Sequence, residues 1–112
     1  EETKHGFREE DLAAGVEALQ AAPNLVPLGL MGMSPARKDG QSAAAAFSRL
    51  RSLADSFEAD TQTRALFLDG RVRTSMGMSG DYPEAIAAGA DYLRIGSSFF
   101  EGIDRATKDV PA

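Results

Sequence analysis

An α/β fold, with about three parallel strands alternating with helices, is the class this sequence predicts, on three observations. Helix-like and strand-like stretches take turns along the chain. The strand-like stretches are short apolar runs, as in strands covered on both faces, rather than the alternating pattern of a half-wet sheet. Two of them end in small-residue turns, Ser75-Met76-Gly77-Met78-Ser79-Gly80-Asp81 and Arg94-Ile95-Gly96-Ser97.

The elements follow in order. Residues 8–22 set Leu12, Val16 and Leu19 at spacings of four and three, which marks one helix face. Glu9, Glu10 and Asp11 fall in its first turn, where the helix dipole favours acids, and Pro23-Asn24 stop it. The apolar run 25–31 predicts a strand buried on both faces, although Pro27 and Gly29 suit a strand poorly. A polar loop over 32–41 leads to Ser42, the expected N-cap of a helix reaching about Ala59. Phe47, Leu50, Leu53 and Phe57 line its buried side; Arg49, Arg51, Asp55 and Glu58 are expected to stay wet.

A second apolar run, 65–68, is expected as a strand and is broken by the turn signal Asp69-Gly70. Residues 72–76 form a further short strand that delivers the first small-residue turn. Asp81 with Glu84 resembles a capping box, and Pro83 sits in the first helical turn, where a missing N–H costs nothing. The helix over 83–88 ends at Gly89, a suitable left-handed cap. Residues 92–95 are a strand, and Gly96-Ser97-Ser98 opens a last helical turn through Phe99 and Phe100. So few strands cannot close a barrel, yet their apolar runs need covering. The chain therefore reads as part of a larger α/β fold.

Composition excludes several classes of function. The 112 residues are enough for one small domain. A net charge of −5, with the 12 basic residues scattered, argues against nucleic acid or an anionic membrane as partner. Without Cys there is no disulfide, thiolate metal site or cysteine nucleophile. With His5 the sole histidine, a metal cluster or a Ser-His-Asp triad has no material. No apolar run approaches the roughly 18 to 20 residues of a membrane span. The residues after Glu1 lack the apolar core of a secretory signal, so the cytoplasm is the expected compartment. Glu1 is no initiator, and the chain begins as though in mid-domain.

The two turns carry the chemistry. Gly and Ser lay bare backbone N–H groups that suit a phosphate, and two such turns about twenty residues apart suggest one phosphate held between neighbouring strand ends. The competing structure is an ordinary strand-to-helix turn, in which the same residues are common. The hydroxyls of Ser97 and Ser98 serve a phosphate or the protein's own N–H groups equally well.

Thr3-Lys4-His5-Gly6-Phe7, Gly29-Leu30-Met31, Phe47 with Arg49-Leu50, residues 75–81, Glu84-Ala85-Ile86, Gly89-Ala90 and Arg94-Ile95-Gly96-Ser97 form a series in a known order and spacing. From Thr3 to about Gly102 the chain resembles the C-terminal half of the pyridoxal phosphate homeostasis proteins, the YggS/PROSC family. The resemblance implies the C-terminal part of a (β/α)8 TIM-type barrel, similar to the N-terminal domain of alanine racemase. Pyridoxal 5′-phosphate (PLP) would lie at the C-terminal mouth of the strands. Loops after the last two strands of such barrels commonly hold a phosphate, so 72–76 would be the seventh strand and 92–95 the eighth.

Ser75, Met76, Gly77, Met78 and Ser79 would then cradle the phosphate together with Gly96, Ser97 and Ser98. The side chains of Met31, Met76 and Met78 would pack around the pocket. Arg94, flanked by Leu93 and Ile95, would face the pyridine nitrogen; the alternative for it is an ion pair with a neighbouring carboxylate. The function implied is non-catalytic: PLP is buffered and delivered to PLP-dependent apoenzymes. The family's Schiff-base lysine lies near the first strand, in an N-terminal half absent from this sequence. Lys4, Lys38 and Lys108 fall in loops or the tail, and none is a credible replacement. Residues 69–74 are also more polar than an approach to the seventh strand should be. Rival expectations are a fragment of a PLP-dependent amino-acid racemase, and a non-binding remnant that self-associates through exposed sheet edges.

Overall fold

In the computed structural model, residues 6–35 and 40–103 are described. Lys4, His5, Lys38 and Lys108 lie outside them, as does most of the Thr3–Phe7 segment of the resemblance.

The first helix forms where its apolar spacing places it. A tight 3-10 turn at Glu9–Asp11 enters α1 (Leu12–Ala18), and a second, Leu19–Ala21, leaves it ahead of Pro23. Val16 is buried, and Leu12 packs beside it. At the exposed entrance Glu9 takes two hydrogen bonds from Arg49 of the next helix, at 2.6 and 2.5 Å. The Arg49 guanidinium holds the Glu9 carboxyl below its ordinary value.

Strand β1 is confined to Gly29–Met31 and pairs in parallel with β2, Arg73–Ser75. Gly29 lies opposite Arg73, and a Cβ there would sit 1.8 Å from the Arg73 carbonyl oxygen, so no side chain fits. The expected strand over 25–31 is thus shorter, and it is not covered on both faces. Leu25 and Val26 are 60 % exposed. Pro27 and Leu28 contribute only carbonyls, to the N–H groups of Leu68 and Arg73. A proline has no N–H to give, which keeps that stretch out of a regular ladder.

Helix α2 spans Gly40–Ala59, so Ser42 lies inside it rather than at its N-cap. Its apolar side is as expected. Phe47 is 1 % exposed, and Leu50, Leu53 and Phe57 pack around the buried residues. Two of its expected wet residues turn toward the sheet and are only partly exposed. Arg51 reaches across to donate to the Val72 carbonyl at 3.1 Å and pairs with Asp91, also at 3.1 Å. Glu58 accepts the Val72 N–H at 2.9 Å. Both side chains serve the sheet, which a helical wheel does not reveal.

The run 65–68 is no strand. Short helix α3 (Thr61–Arg64) continues into turns whose bonds are local, from Leu66 N–H to the Thr63 carbonyl and from Phe67 N–H to Arg64. Phe67 is buried, and a 3-10 turn at Leu68–Gly70 follows. The Asp69-Gly70 turn itself is present, with φ of 57° and 68°.

After β2 comes α4 (Tyr82–Ala87), with Pro83 in its first turn. It closes with Gly89 at φ 91°, its N–H on the Ile86 carbonyl, and the Ala90 N–H on the Ala85 carbonyl, both at 3.0 Å. That pair of bonds is a Schellman closure, which needs a residue at ease with positive φ. The expected strand 92–95 is reduced to one parallel bridge, Ser75 to Tyr92. The segment still runs alongside β2: Tyr92 N–H bonds the Thr74 carbonyl, Met76 N–H the Tyr92 carbonyl, and Arg94 N–H the Gly77 carbonyl. The α/β class holds, as a two-stranded parallel sheet with a third extended segment beside β2.

Alternation sorts the sheet's side chains. Leu30, Val72, Thr74 and Met76 face the helices and are buried. They join two core clusters, Val16-Leu30-Ala54-Phe67-Val72 and Ala43-Phe47-Met76-Ala85. Met31, Arg73 and Ser75 take the opposite face, where Met31 is 64 % exposed. Asp91 fastens the third segment: its carboxylate accepts the Thr74 N–H at 2.9 Å and pairs with Arg51 and Arg71. Partial burial pushes the Asp91 carboxyl up, but the Thr74 N–H and the two guanidiniums outweigh it and hold the group below its ordinary value.

Candidate functional site

The sequence-predicted site residues gather at the C-terminal ends of the three extended segments, where open parallel α/β sheets bind their ligands. Gly77 makes the first bend. Its φ is 99°, and a Cβ there would lie 2.6 Å from the Ala85 Cβ and 3.0 Å from Leu93. Only glycine lets β2 turn this tightly onto α4.

Beyond Gly77 the loop is held by Asp81. This residue stands at the N-cap of α4 but makes no side-chain cap bond to it, so the expected capping box does not form. Its Oδ1 instead accepts the Met78 N–H at 2.8 Å. Its Oδ2 accepts the hydroxyl of Ser34, from the loop after β1, at 2.5 Å. Asp81 therefore ties two loops at the strand ends. The sequence offers no sign of this, since the partner is far off in the chain.

The two small-residue turns meet. Ser79 Oγ accepts the N–H groups of Ser98 at 2.9 Å and Gly96 at 3.3 Å, and Ser98 Oγ donates back to the Ser79 carbonyl at 3.3 Å. Two amides of one turn thus converge on a single oxygen supplied by the other. Ser97 begins the 3-10 turn Ser97–Phe100 beside them and is exposed. Backbone donors converging on one oxygen are what an anion's oxygen requires.

Arg94 sits apart from this point, on the open face of the sheet. Its Nη1 donates to Ser75 Oγ at 2.7 Å and its Nη2 to the Gly32 carbonyl at 3.1 Å. Among the described residues it makes no ion pair; both partners are neutral oxygens. Ser75 therefore goes with Arg94 rather than with the turns. Met76 goes with neither: its amide is spent on the Tyr92 carbonyl, and its side chain is buried among Ala43, Phe47 and Ala85. Met78 is exposed at the turn, and Met31 is exposed on the Arg94 face. Among the described residues no group of three or more acidic or His side chains could hold a metal ion. No described helix is long and apolar enough to cross a membrane.

No protein-family model matches the chain. It is 38% identical over 100 residues to the pyridoxal phosphate homeostasis protein of Synechocystis sp., covering 89% of this chain and 43% of that protein. It is 43% identical over 97 residues to the one from Deinococcus radiodurans, covering 87% and 40%. Among solved structures it is similar to PipY of Synechococcus elongatus. Against the form without PLP the TM-score is 0.74 at 30% identity, over 87% of this chain and 43% of that one. Against the form with PLP bound it is 0.72 at 29% identity. The chain spans about two fifths of the length of the curated relatives it matches.

Proposed function

We propose that this chain, a homologue of the pyridoxal phosphate homeostasis proteins over nearly all of its length, is the C-terminal portion of a PLP-binding (β/α)8 barrel and carries the phosphate-side half of its site. Residues 1–112 form one such portion, with β1, β2 and the segment from Tyr92 as consecutive barrel strands. The observation that carries this is the meeting of the two turns, Gly96 and Ser98 N–H both on Ser79 Oγ, at the C-terminal ends of parallel neighbours.

The donor set fits a phosphate monoester. The Gly96 and Ser98 amides, now on Ser79 Oγ, would hold a phosphate oxygen, with the hydroxyls of Ser79, Ser97 and Ser98 available as further donors. Gly77 and Met78 shape the wall and line it with backbone. Arg94, on the open face, donates to the ring nitrogen. A guanidinium keeps its protons at any ordinary pH, so it gives a hydrogen bond without giving up a proton. PLP serves as an electron sink when its ring nitrogen is protonated, and an arginine partner withholds that proton. Storage and delivery to PLP-dependent apoenzymes in the cytoplasm follow, rather than catalysis. The imine-forming lysine belongs, by the resemblance, to the N-terminal half of the barrel.

Thermal unfolding with three small molecules tests this. PLP and pyridoxine 5′-phosphate are expected to raise the melting temperature through binding to the folded state, while pyridoxal without phosphate does not. Equal stabilisation by pyridoxal would mean that the two turns do not bind the phosphate.

A further inference from the structure

Ser75 belongs in sequence to the small-residue turn, yet its geometry separates it from the turn's chemistry. It is the last residue of β2, paired with Met31 and bridged to Tyr92, and it precedes the left-handed bend at Gly77. Its neighbour Met76 points into the core, so Ser75 points to the other face of the sheet. There its hydroxyl oxygen accepts from Arg94 Nη1 at 2.7 Å, and the Gly32 carbonyl accepts from Nη2 at 3.1 Å. The amides of Gly96 and Ser98 converge elsewhere, on Ser79.

We infer that Ser75 is a positioning residue for Arg94: its hydroxyl and the Gly32 carbonyl form a bracket that fixes the guanidinium plane, and so sets preference for a pyridine-bearing phosphate over phosphate alone. The inference rests on the proposed PLP site. A guanidinium is planar and rigid, so holding one terminal nitrogen from the end of β2 and the other from the residue just after β1 fixes the plane in which its remaining N–H groups point. Both acceptors are neutral. A carboxylate in either place would cancel the positive charge; a hydroxyl and a carbonyl orient it while leaving it intact for an aromatic nitrogen. Removing the Ser75 hydroxyl frees one nitrogen and lets the plane turn about the other.

The experiment uses the full chain as wild type, Ser75→Ala and Ser75→Thr, with PLP and inorganic phosphate as separate probes in titrations. Ser75→Ala is expected to lose PLP affinity by about fivefold, the worth of one ordinary hydrogen bond, with phosphate affinity unchanged. Ser75→Thr, which keeps the hydroxyl, restores PLP affinity. In parallel, NMR of the Arg94 side-chain N–H groups is expected to show restricted rotation in the wild type and in Ser75→Thr, and averaged signals in Ser75→Ala. Equal losses for PLP and phosphate in Ser75→Ala would make Ser75 a phosphate ligand and overturn the inference while leaving the PLP site standing. Unchanged Arg94 signals in Ser75→Ala also overturn it. A wild type that binds neither probe overturns the PLP site and this inference with it.

Discussion

Gly77 is the residue on which the turn depends most visibly. Its positive φ and the 2.6 Å approach of the Ala85 Cβ leave no room for even a methyl group. Gly77→Ala is expected to destabilise the fold by roughly 1–3 kcal/mol, measured by urea unfolding. A loss below a few tenths would mean that the bend relaxes. Ser79 acts differently: Ser79→Ala leaves the Gly96 and Ser98 amides without their shared acceptor. Faster hydrogen exchange at those two amides than in the wild type is the expected outcome. At this scale the glycines and serines were legible, because a turn needing bare backbone can be built from few residue types. The Asp81 ties and the Arg51 reach were not. Their partners are Ser34 and Asp91, and only the folded chain brings these pairs together.

Among the elements, α1, α2 and α4 could be read, and the strands only in part: β1 and β2 fall inside the expected runs 25–31 and 72–76, whereas 65–68 is no strand and 92–95 makes a single bridge. α1 and α2 follow their apolar spacing, and the Gly89 closure of α4 follows from one residue type. The apolar run 65–68 satisfies strand and helix-end patterns alike, and here local turns take the Leu66 and Phe67 N–H groups while only the Leu68 N–H reaches across, to the Pro27 carbonyl; Phe67 still reaches the core. Burial on α2 makes the energetic contrast sharp. Phe47→Ala is expected to cost about 3–5 kcal/mol by opening a cavity beside Met76 and Ala85. Leu25→Ser, at an exposed site, should shift stability by less than about 0.5 kcal/mol. Denaturant midpoints of the two variants check this. The clasp between β2 and the following segment carries a pH signature. The Asp91 carboxyl is held below its ordinary value of 3.8, so the folded state binds fewer protons than the unfolded chain in acid. Its contribution is present above that ordinary value and is lost as pH falls through the lowered folded one. Asp91→Asn should lessen the acid-side decline in unfolding free energy, and an unaltered decline would locate it in other carboxylates.

Across the whole molecule, the helices described lie against one face of the sheet, and the other face presents Met31 with Arg73, Ser75 and Arg94. A parallel sheet normally has both faces covered, and a free strand edge invites pairing. The proposed barrel accounts for both: its remaining strands would flank β1 and close over that inner face. Within that proposed barrel, the two turns would hold one phosphate jointly. Amide NMR during a PLP titration tests it most directly. With one phosphate shared between the turns, signals from Gly77–Ser79 and from Gly96–Ser98 are expected to move together and saturate at one common affinity; movement of one turn alone, or of neither, would contradict joint binding.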